Sequence, residues 1–213
     1  GANSAAEEFV SVFDKVNIPY QFLALQGLYA KPSVLDLLSL LRIVNNPFDS
    51  PSFYRVLKHP LFDISANDLA LLSQHAYKKG KALFEVCSQA RAITELSEKT
   101  IKSLEHLLSL HQVFLHEAKI RNASEMLLII ARDSGLLEYL NTLDEQQKYD
   151  TFRLLEQFYG RVKRFESRSD EKDLRTFLEE FTHERDAGGQ GSLSFDLETG
   201  PDTVKIMTIH GSK

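Results

Sequence analysis

A chain of 213 residues with 43% hydrophobic residues is long enough to bury a core, so it is predicted to fold as a globular protein. Its formal net charge of -5 excludes a protein that coats nucleic acid by bulk electrostatics, since such domains carry a basic excess. Any DNA contact is therefore expected to be local. The one cysteine, Cys87, is predicted to be a reduced thiol, which is typical of a cytoplasmic protein.

The hydrophobic pattern is helical along most of the chain. Leu35, Leu38, Leu41 and Val44 recur at three-residue steps, and a similar stripe runs from 104 to 114. The fold class predicted is mainly α, with a short extended segment at Pro19 to Leu25. Helices are predicted over 4–17, 33–45, 51–58, 66–79, 81–89, 93–116, 123–133, 144–166 and 170–182.

The periodicity ends near the C-terminus. Glycines at 188, 189, 191 and 200 interrupt residues 185–201, which predicts a linker into another domain. Val204, Ile206 and Met207 then predict a strand. Because a lone edge strand rarely stabilises itself, the chain is expected to be a piece of a longer protein that holds the rest of the sheet.

Metal and catalytic sites are not favoured by the spacing of the ionisable residues. His106, His111 and His116 lie five residues apart, and that step rotates each histidine by roughly 140° from the last. The three are therefore expected to be solvated or packed individually. Glu7-Glu8 and Glu179-Glu180 are adjacent pairs that point in different directions on a helix. No sequence of a phosphate-binding loop is present.

Basic clusters leave two interpretations open. Lys78, Lys79 and Lys81 lie at one predicted helix junction, and Arg161, Lys163, Arg164 and Arg168 lie towards the end of another helix. Cations near a helix C-terminus interact favourably with the helix dipole, which explains them without a ligand. Contact with phosphate is the other interpretation.

The order of residues from Asn17 to Leu69 resembles the UvrD/Rep/PcrA-type superfamily 1 DNA helicases, where the chain leaves motif IV and enters subdomain 2B. The matching positions are Ile18-Pro19-Tyr20, Tyr29, Lys31, Asp36, Leu41-Arg42, Asn46-Pro47, Asp49 and Pro60. Asn3 to Phe9 resembles the end of motif IV, and Asp133 to Leu136 resembles a turn in the middle of 2B. Thr208 to Lys213 resembles the start of motif V.

This resemblance implies a domain organisation. Residues 1–19 would be the end of the motif IV region at the edge of subdomain 2A, and 20–184 the helical 2B subdomain. Residues 185–202 would be a flexible linker, and 203–213 the start of the motif V strand in the RecA-like 2A core. The parent protein would be an ATP-dependent 3′ to 5′ DNA helicase that binds ATP and Mg outside these residues. The chain itself is expected to bind neither and to hold no catalytic residue.

The resemblance also implies binding residues and partners. Thr208 and His210 would contact DNA, with Lys213 in support. Tyr29 and Lys31 are further candidates, as are Arg161, Lys163 and Arg164 on the phosphate interpretation. The expected partners are single-stranded and junction DNA, the 2A and 1B subdomains of the same protein, and a repair or nuclease protein, with no membrane.

Departures from the family pattern qualify these expectations. Ala24-Leu25 stands where UvrD-like members carry Gly-Gly, and Asp63-Ile64-Ser65 stands where they carry Gly-Ile-Gly. Ser33 and Leu35 replace the usual Glu and Lys beside Asp36. An acid at Asp63 would repel phosphate. These changes favour the RecB/AddA-like branch. They also motivate an alternative, a helical interaction domain of a helicase-nuclease that docks a protein and has no direct DNA contact.

Overall fold

The computed structural model describes residues 27–191 without a gap, together with 12–13, 15–16, 18, 20–23, 193 and 204–207. Within these ranges the chain is mainly α-helical, which confirms the predicted fold class. The α-helices are α1 (Pro32–Asn45), α2 (Ser50–Lys58), α3 (Ala66–Lys79), α4 (Leu83–Cys87), α5 (Glu98–Glu117), α6 (Ala123–Asp133), α7 (Leu136–Leu140), α8 (Glu145–Arg168) and α9 (Leu174–Asp186). Short 3-10 helices span Leu28–Ala30, Pro60–Phe62 and Ala90–Ala92.

Side-chain caps determine where most of these helices begin. In each case an oxygen of the residue before the helix accepts a hydrogen bond from a first-turn amide, which satisfies a donor that the helix leaves open. The capping residues are Asp49 for α2, Ser65 for α3, Ser97 for α5, Asn122 for α6, Asp144 for α8 and Asp173 for α9. The predicted starts of α2, α3, α6 and α8 therefore agree with the structure to within one residue.

The helix predicted over 4–17 lies mostly outside the described residues, and three other helices were predicted with wrong bounds. The helix predicted over 93–116 begins at Glu98, because Ser97 caps it and the preceding chain forms the 3-10 turn Ala90–Ala92. The helix predicted to start at 170 begins at Leu174 after the Asp173 cap. The helix predicted over 81–89 is the single turn of α4. The short helix α7 was not predicted; Gly135, with φ 84°, separates it from α6.

The chain divides into two compact units, residues 31–189 and residues 1–30 with 190–213. In the helical unit α1 is central, since it contacts α2, α5, α6, α8 and α9. Its side chains Val34, Leu37, Leu38 and Leu41 are almost fully buried. The predicted subdomain boundaries at 19, 184 and 202 concern a longer protein and stay predictions.

The aromatic part of the helical core lies between α8 and α9. Phe158 and Phe165 of α8 and Phe177 and Phe181 of α9 are fully buried and pack ring against ring, with centroids 5.5 to 6.1 Å apart. Such contacts stabilise beyond the buried area alone. They fix α9 against α8.

The second unit contains a two-stranded parallel sheet. Strand β1 (Tyr20–Leu23) pairs with β2 (Val204–Met207), Tyr20 opposite Val204 and Leu23 opposite Met207. Strand β1 confirms the described part of the extended segment predicted at Pro19 to Leu25, and β2 confirms the strand predicted after residue 203. The expectation of a lone edge strand was wrong, because β1 supplies a neighbour. Parallel strands need a long crossover, and here the sequence of the helical unit lies between them.

No helix in the described ranges is long and apolar enough to span a bilayer.

Candidate functional site

Tyr29, a predicted DNA contact, is held inside the smaller unit. Its side chain is buried, and its backbone N–H donates to the Gln190 carbonyl at 3.1 Å. Gly191 lies against its ring, with φ +71°, and a Cβ there would come within 2.6 Å of the ring. Glycine is therefore needed at 191 for both conformation and space. A base stacking on Tyr29 would first have to displace this contact.

Lys31, the neighbouring candidate, is half-buried directly before the first residue of α1. A cleft of about 490 Å³ lies between α1, α2, α7 and α8, and its first lining residue, Pro32, directly follows Lys31. We call this the Asp36 cleft. Its polar side is formed by Ser33, Asp36, Arg55, Lys58 and His59, and its apolar side by Tyr139, Leu140, Leu143, Leu154 and Leu155.

The charges of the Asp36 cleft are largely satisfied within the chain. Arg55 Nε donates to Asp36 Oδ1 at 2.6 Å, and a terminal nitrogen of Arg55 donates to the Pro32 carbonyl at 3.2 Å. His59 Nε2 lies 3.8 Å from Asp36 Oδ2, and His59 Nδ1 accepts from the Leu61 N–H. Burial lowers the pKa of His59, Asp36 raises it and Arg55 lowers it, with a net decrease.

A neutral His59 leaves Lys58 as the exposed cation of this cleft. No ion pair of Lys58 is present within the described residues. The Nδ1 of His59 is occupied by a backbone donor and cannot accept a proton from a substrate. The cleft therefore presents the Lys58 ammonium beside an apolar wall.

Arg161, another predicted DNA contact, is buried between α8 and α9. Its side chain is 7% exposed and its guanidinium binds Glu180 at 2.8 Å and Glu184 at 2.6 Å. The same guanidinium lies 5.9 Å from the centroid of the Phe177 ring. A phosphate group would have to compete with two carboxylates for it. The arrangement stabilises the contact between α8 and α9.

Lys163 and Arg164 differ from each other in their surroundings. Lys163 Nζ binds Glu166 at 2.7 Å, and the hydrogen bond to Glu166 and the charge of Glu166 raise the pKa of Lys163. Glu166 is buried and also accepts from the backbone and hydroxyl of Ser124. Arg164 is exposed and has no ion pair with any described residue. Of the three candidate DNA contacts on this helix, Arg164 is the one without an ion pair to a described residue.

The structure shows a second groove that the sequence did not indicate. It lies between α1 and α9, has a volume of about 410 Å³, and we call it the Arg42 groove. Its lining residues are Arg42, Asn45, Asn46, Asp49, Leu178, Glu179, Thr182 and His183. Arg42 appeared in the sequence only as one position of the helicase-like pattern, and no sequence signal marks it as half-buried.

The histidines with five-residue spacing do not come together. His111 is buried, and its Nε2 lies 3.0 Å from the Ile43 carbonyl, whereas His106 and His116 are exposed. Burial lowers the pKa of His111, and the Ile43 hydrogen bond partly opposes that effect. In the part of the chain that the structure describes, no group of three or more potential ligands could hold a metal ion.

The turn at Asp63 has a left-handed backbone. Asp63 has φ 50°, a conformation that glycine adopts at lower cost, and its carboxylate lies 2.5 Å from Lys99 Nζ. Lys99 therefore offsets the negative charge that was expected to repel phosphate. Thr208, His210 and Lys213 lie outside the described residues, as do Ala24 and Leu25.

Comparisons with known proteins agree with the resemblance in the sequence. An ATP-dependent helicase/nuclease subunit of Bacillus pumilus (strain SAFR-032) is 25% identical over 209 residues, which is 98% of this chain and 16% of that protein. The ATP-dependent DNA helicase PcrA of Staphylococcus aureus (strain Mu50 / ATCC 700699) is 25% identical over 216 residues, 99% of this chain and 28% of that protein. The ATP-dependent DNA helicase Rep of Buchnera aphidicola subsp. Schizaphis graminum (strain Sg) is 32% identical over 106 residues, 50% of this chain and 16% of that protein.

This chain thus spans 16% to 28% of the length of these three relatives. The profile of the UvrD-like helicase C-terminal domain family matches residues 1–213, the entire chain. The chain belongs to the UvrD-like helicase C-terminal domain family.

Proposed function

We propose that this chain is part of an ATP-dependent DNA helicase that moves 3′ to 5′ along one strand, and that its helical unit positions DNA and regulates the motor. The observation that carries this proposal is the match of the helicase family over the whole chain. The names of the relatives, helicases that depend on ATP, support it.

ATP and Mg would bind in the remainder of the longer protein. Hydrolysis needs backbone amides and a lysine around the phosphates, with carboxylates or hydroxyls that hold the metal ion. The 213 residues contain no G-x-x-x-x-G-K sequence followed by serine or threonine. On this proposal the chain alone hydrolyses no ATP and contributes no catalytic residue.

The parallel strands support the proposed domain organisation. In the proposal β1 and β2 belong to the 2A core, which moves the predicted boundary at 19 past β1; the helical residues up to 184 are the 2B subdomain, and 185–202 are the linker back to the core. Parallel sheets are typical of α/β cores, and the helical residues would be an insertion between two core strands. Thr208 and His210 would follow β2 and contact the DNA strand, with Lys213 in support. The 2A and 1B subdomains would contact the helical unit.

DNA contacts of the helical unit are proposed to be few and separate. Lys31 and Arg164 have no ion pair with a described residue, whereas Arg161 and Lys163 bind glutamates. Each neutralised phosphate of a single strand contributes about -0.7 to the slope of log K against log salt concentration. A unit with two such contacts should therefore give a shallow dependence on salt, in agreement with the chain's net charge of -5.

The test uses the full-length protein that contains these residues. We expect ATP hydrolysis that single-stranded DNA stimulates, and unwinding of a duplex with a 3′ tail but not of one with a 5′ tail. Lys31→Gln and Arg164→Gln should weaken DNA binding and leave the turnover of bound ATP unchanged. The control is Arg121→Gln, because Arg121 is already paired with Glu117 at 3.0 Å. Absence of DNA-stimulated hydrolysis would overturn the proposal.

A second function is favoured by the way the surface cations are paired. Many arginines of the helical unit are engaged by acids, for example Arg91 with Glu105, Arg132 with Asp133 and Arg175 with Glu179. Such a surface would suit a repair or nuclease protein better than DNA. Fluorescence anisotropy with a fork duplex at low and moderate salt separates the two functions. Salt-sensitive binding supports DNA contact, and no binding at any salt supports the protein partner.

A further inference from the structure

The Arg42 guanidinium is partly removed from water without an internal partner. Arg42 is half-buried in the last turn of α1, and no hydrogen bond or ion pair of its side chain exists within the described residues. Burial lowers its pKa, Asp49 raises it and Arg185 lowers it, with a net decrease. An arginine nevertheless stays charged in proteins. A desolvated cation with no partner is costly, and an external anion would relieve that cost.

The carboxylates of the Arg42 groove are already engaged elsewhere. Asp49 caps α2, where its oxygens accept from the Ser52 N–H at 3.2 Å and from the Ser52 hydroxyl at 2.7 Å. Glu179 accepts from Arg175 Nε at 2.8 Å on its own helix. Neither forms an ion pair with Arg42. Asp49 keeps its negative charge and acts on Arg42 across the groove, but no carboxylate oxygen of a described residue binds the guanidinium, whose N–H groups remain open to a ligand.

Further donors lie beside Arg42. His183 lines the groove from the last turn of α9, and Arg185, in the same turn, is close enough to lower the pKa of Arg42. Neither has an ion pair in the described ranges. Asn46 Oδ1 accepts from the Phe48 N–H, which leaves the amide nitrogen of Asn46 as a donor. One guanidinium, an imidazole and an amide thus line the groove, and the positive charge of Arg185 acts on the same guanidinium from the last turn of α9.

The polarity of the groove favours phosphate over a protein side chain. Apart from Leu178 its lining residues are polar or charged, whereas the Asp36 cleft has an extended apolar wall. A peptide bound in the Arg42 groove would find no such wall for its apolar side chains. A phosphodiester presents two oxygens that match the planar donors of a guanidinium in a bidentate arrangement.

We propose that the Arg42 groove binds one phosphodiester group of a single DNA strand, with the Arg42 guanidinium as its principal donor and His183 and Arg185 beside it. The identity of the ligand as DNA rests on the proposed function, but the presence of an anion site does not. The site adds a phosphate contact on the α1–α9 side of the helical unit. None of the DNA-binding candidates derived from the sequence lines it.

The first measurement uses inorganic phosphate and the 213-residue chain. Nuclear magnetic resonance of arginine Nε–H groups should show a saturable shift of the Arg42 signal. A second measurement uses the anisotropy of a fluorescent oligothymidylate at several salt concentrations. Arg42→Gln should weaken oligothymidylate binding about tenfold and reduce the salt slope by about 0.7, the value for one lost contact. Arg42→Lys, which keeps the charge but not the bidentate geometry, should fall between wild type and Arg42→Gln.

Two controls keep the result specific. Arg91→Gln removes the same charge from an exposed arginine that binds Glu105, and it should leave oligothymidylate binding unchanged. His183→Asn changes the α9 side of the groove and leaves Arg42 in place, and it should weaken oligothymidylate binding. Far-ultraviolet circular dichroism and thermal unfolding verify that each variant is folded.

Three other results would overturn the anion site, the DNA ligand or the helicase proposal. If phosphate gives no saturable shift, or if Arg42→Gln binds oligothymidylate as tightly as wild type, the site is overturned. If a glutamate-rich peptide competes for the groove and oligothymidylate does not, a protein partner replaces DNA as the ligand. If full-length protein shows no DNA-stimulated hydrolysis but phosphate still saturates at Arg42, the helicase proposal fails and the anion site stands.

Discussion

Two arginines of the helical unit, Arg161 in the contact between α8 and α9 and Arg42 in the groove between α1 and α9, have opposite surroundings. Arg161 is more buried and holds two glutamates, whereas Arg42 is half-buried and holds no acid among the described residues. The difference shows that burial alone does not identify a binding arginine. The partners already present decide whether a guanidinium stabilises the fold or remains open to a ligand.

The strongest test of this contrast is Arg161→Ala. We expect the free energy of unfolding to fall by about 3 kcal/mol, because two carboxylates lose their cation and the Phe177 ring loses the guanidinium beside it. This is the low end for a broken buried pair, since Glu180 and Glu184 are 42% and 32% exposed. Urea unfolding followed by circular dichroism measures it. Arg164→Ala, an exposed change on the same helix, should shift stability by less than about 0.5 kcal/mol.

The outcome at Arg161 also discriminates between its two roles. A variant that unfolds like wild type but no longer binds a fork duplex would make Arg161 a DNA contact, as the sequence predicted. A variant that is less stable yet binds DNA normally when folded would make it a structural residue. The control variant Arg164→Ala should show the opposite behaviour, with normal stability and weaker binding.

Asp68 is an acid that, like Arg161, has its hydrogen-bond partners within the fold. Its Oδ2 accepts from Thr100 Oγ1 at 2.6 Å and from Ser97 Oγ at 2.7 Å, which ties α3 to the start of α5. Burial alone would raise the pKa of Asp68, but hydrogen bonds from Thr100, Ser97 and Ser65 outweigh it and lower the pKa. Asp68→Ala should reduce the free energy of unfolding at pH 7 by about 2 kcal/mol, since the buried Thr100 hydroxyl loses its acceptor.

The lowered pKa of Asp68 determines the direction in which stability changes with pH. The stabilisation by the Asp68 carboxylate is complete above about pH 3.9, the pKa of an aspartate in the unfolded chain. It is lost as the pH falls through the lower pKa that Asp68 has in the folded protein. Wild type should therefore lose stability more steeply below about pH 4 than Asp68→Ala does. Asp170→Ala, which removes an exposed acid, should follow the wild-type curve. Parallel curves for wild type and Asp68→Ala would contradict the lowered pKa.

The Asp36 cleft should give a smaller effect, because its ion pair is partly exposed. Asp36→Asn leaves Arg55 with the Pro32 carbonyl as its remaining partner, and we expect a loss of about 1 kcal/mol or less. Salt at about 1 M should reduce that loss, since exposed charges are screened. A double-mutant cycle with Arg55→Gln measures the pair directly. A coupling that does not change with salt would show that the pair behaves as a buried one.

Sequence patterns predicted the local features and missed those that depend on distant contacts. Capping residues such as Ser65, Asn122 and Asp144 act within one turn, so the helices that they start could be predicted to within a residue. The pairing of β1 with β2 joins residues that are far apart in sequence, so β2 was expected to be alone. The helix α7 is too short for periodicity to reveal.

The same limit applies to the candidate site. Arg161 and Arg164 are three residues apart and carry the same charge, so the sequence could not show that α9 supplies two glutamates to the former. Arg42 lies in the last turn of α1, and its surroundings depend on how α9 packs beside that turn. Pairing of charges across helices is a property of the packing. It cannot be read from spacing along one helix.

The smallest expected effect on stability is that of Arg42→Met, which removes the charge but keeps a flexible side chain of similar length. Because no ion pair of Arg42 exists in the described part of the chain, the free energy of unfolding should fall by no more than about 0.5 kcal/mol. Arg161→Met, the matched change, removes a cation from two glutamates and should be clearly destabilising. Urea unfolding of both variants at the same pH makes the comparison. A loss above about 2 kcal/mol for Arg42→Met would show that Arg42 supports the fold, and the contrast between the two arginines would disappear.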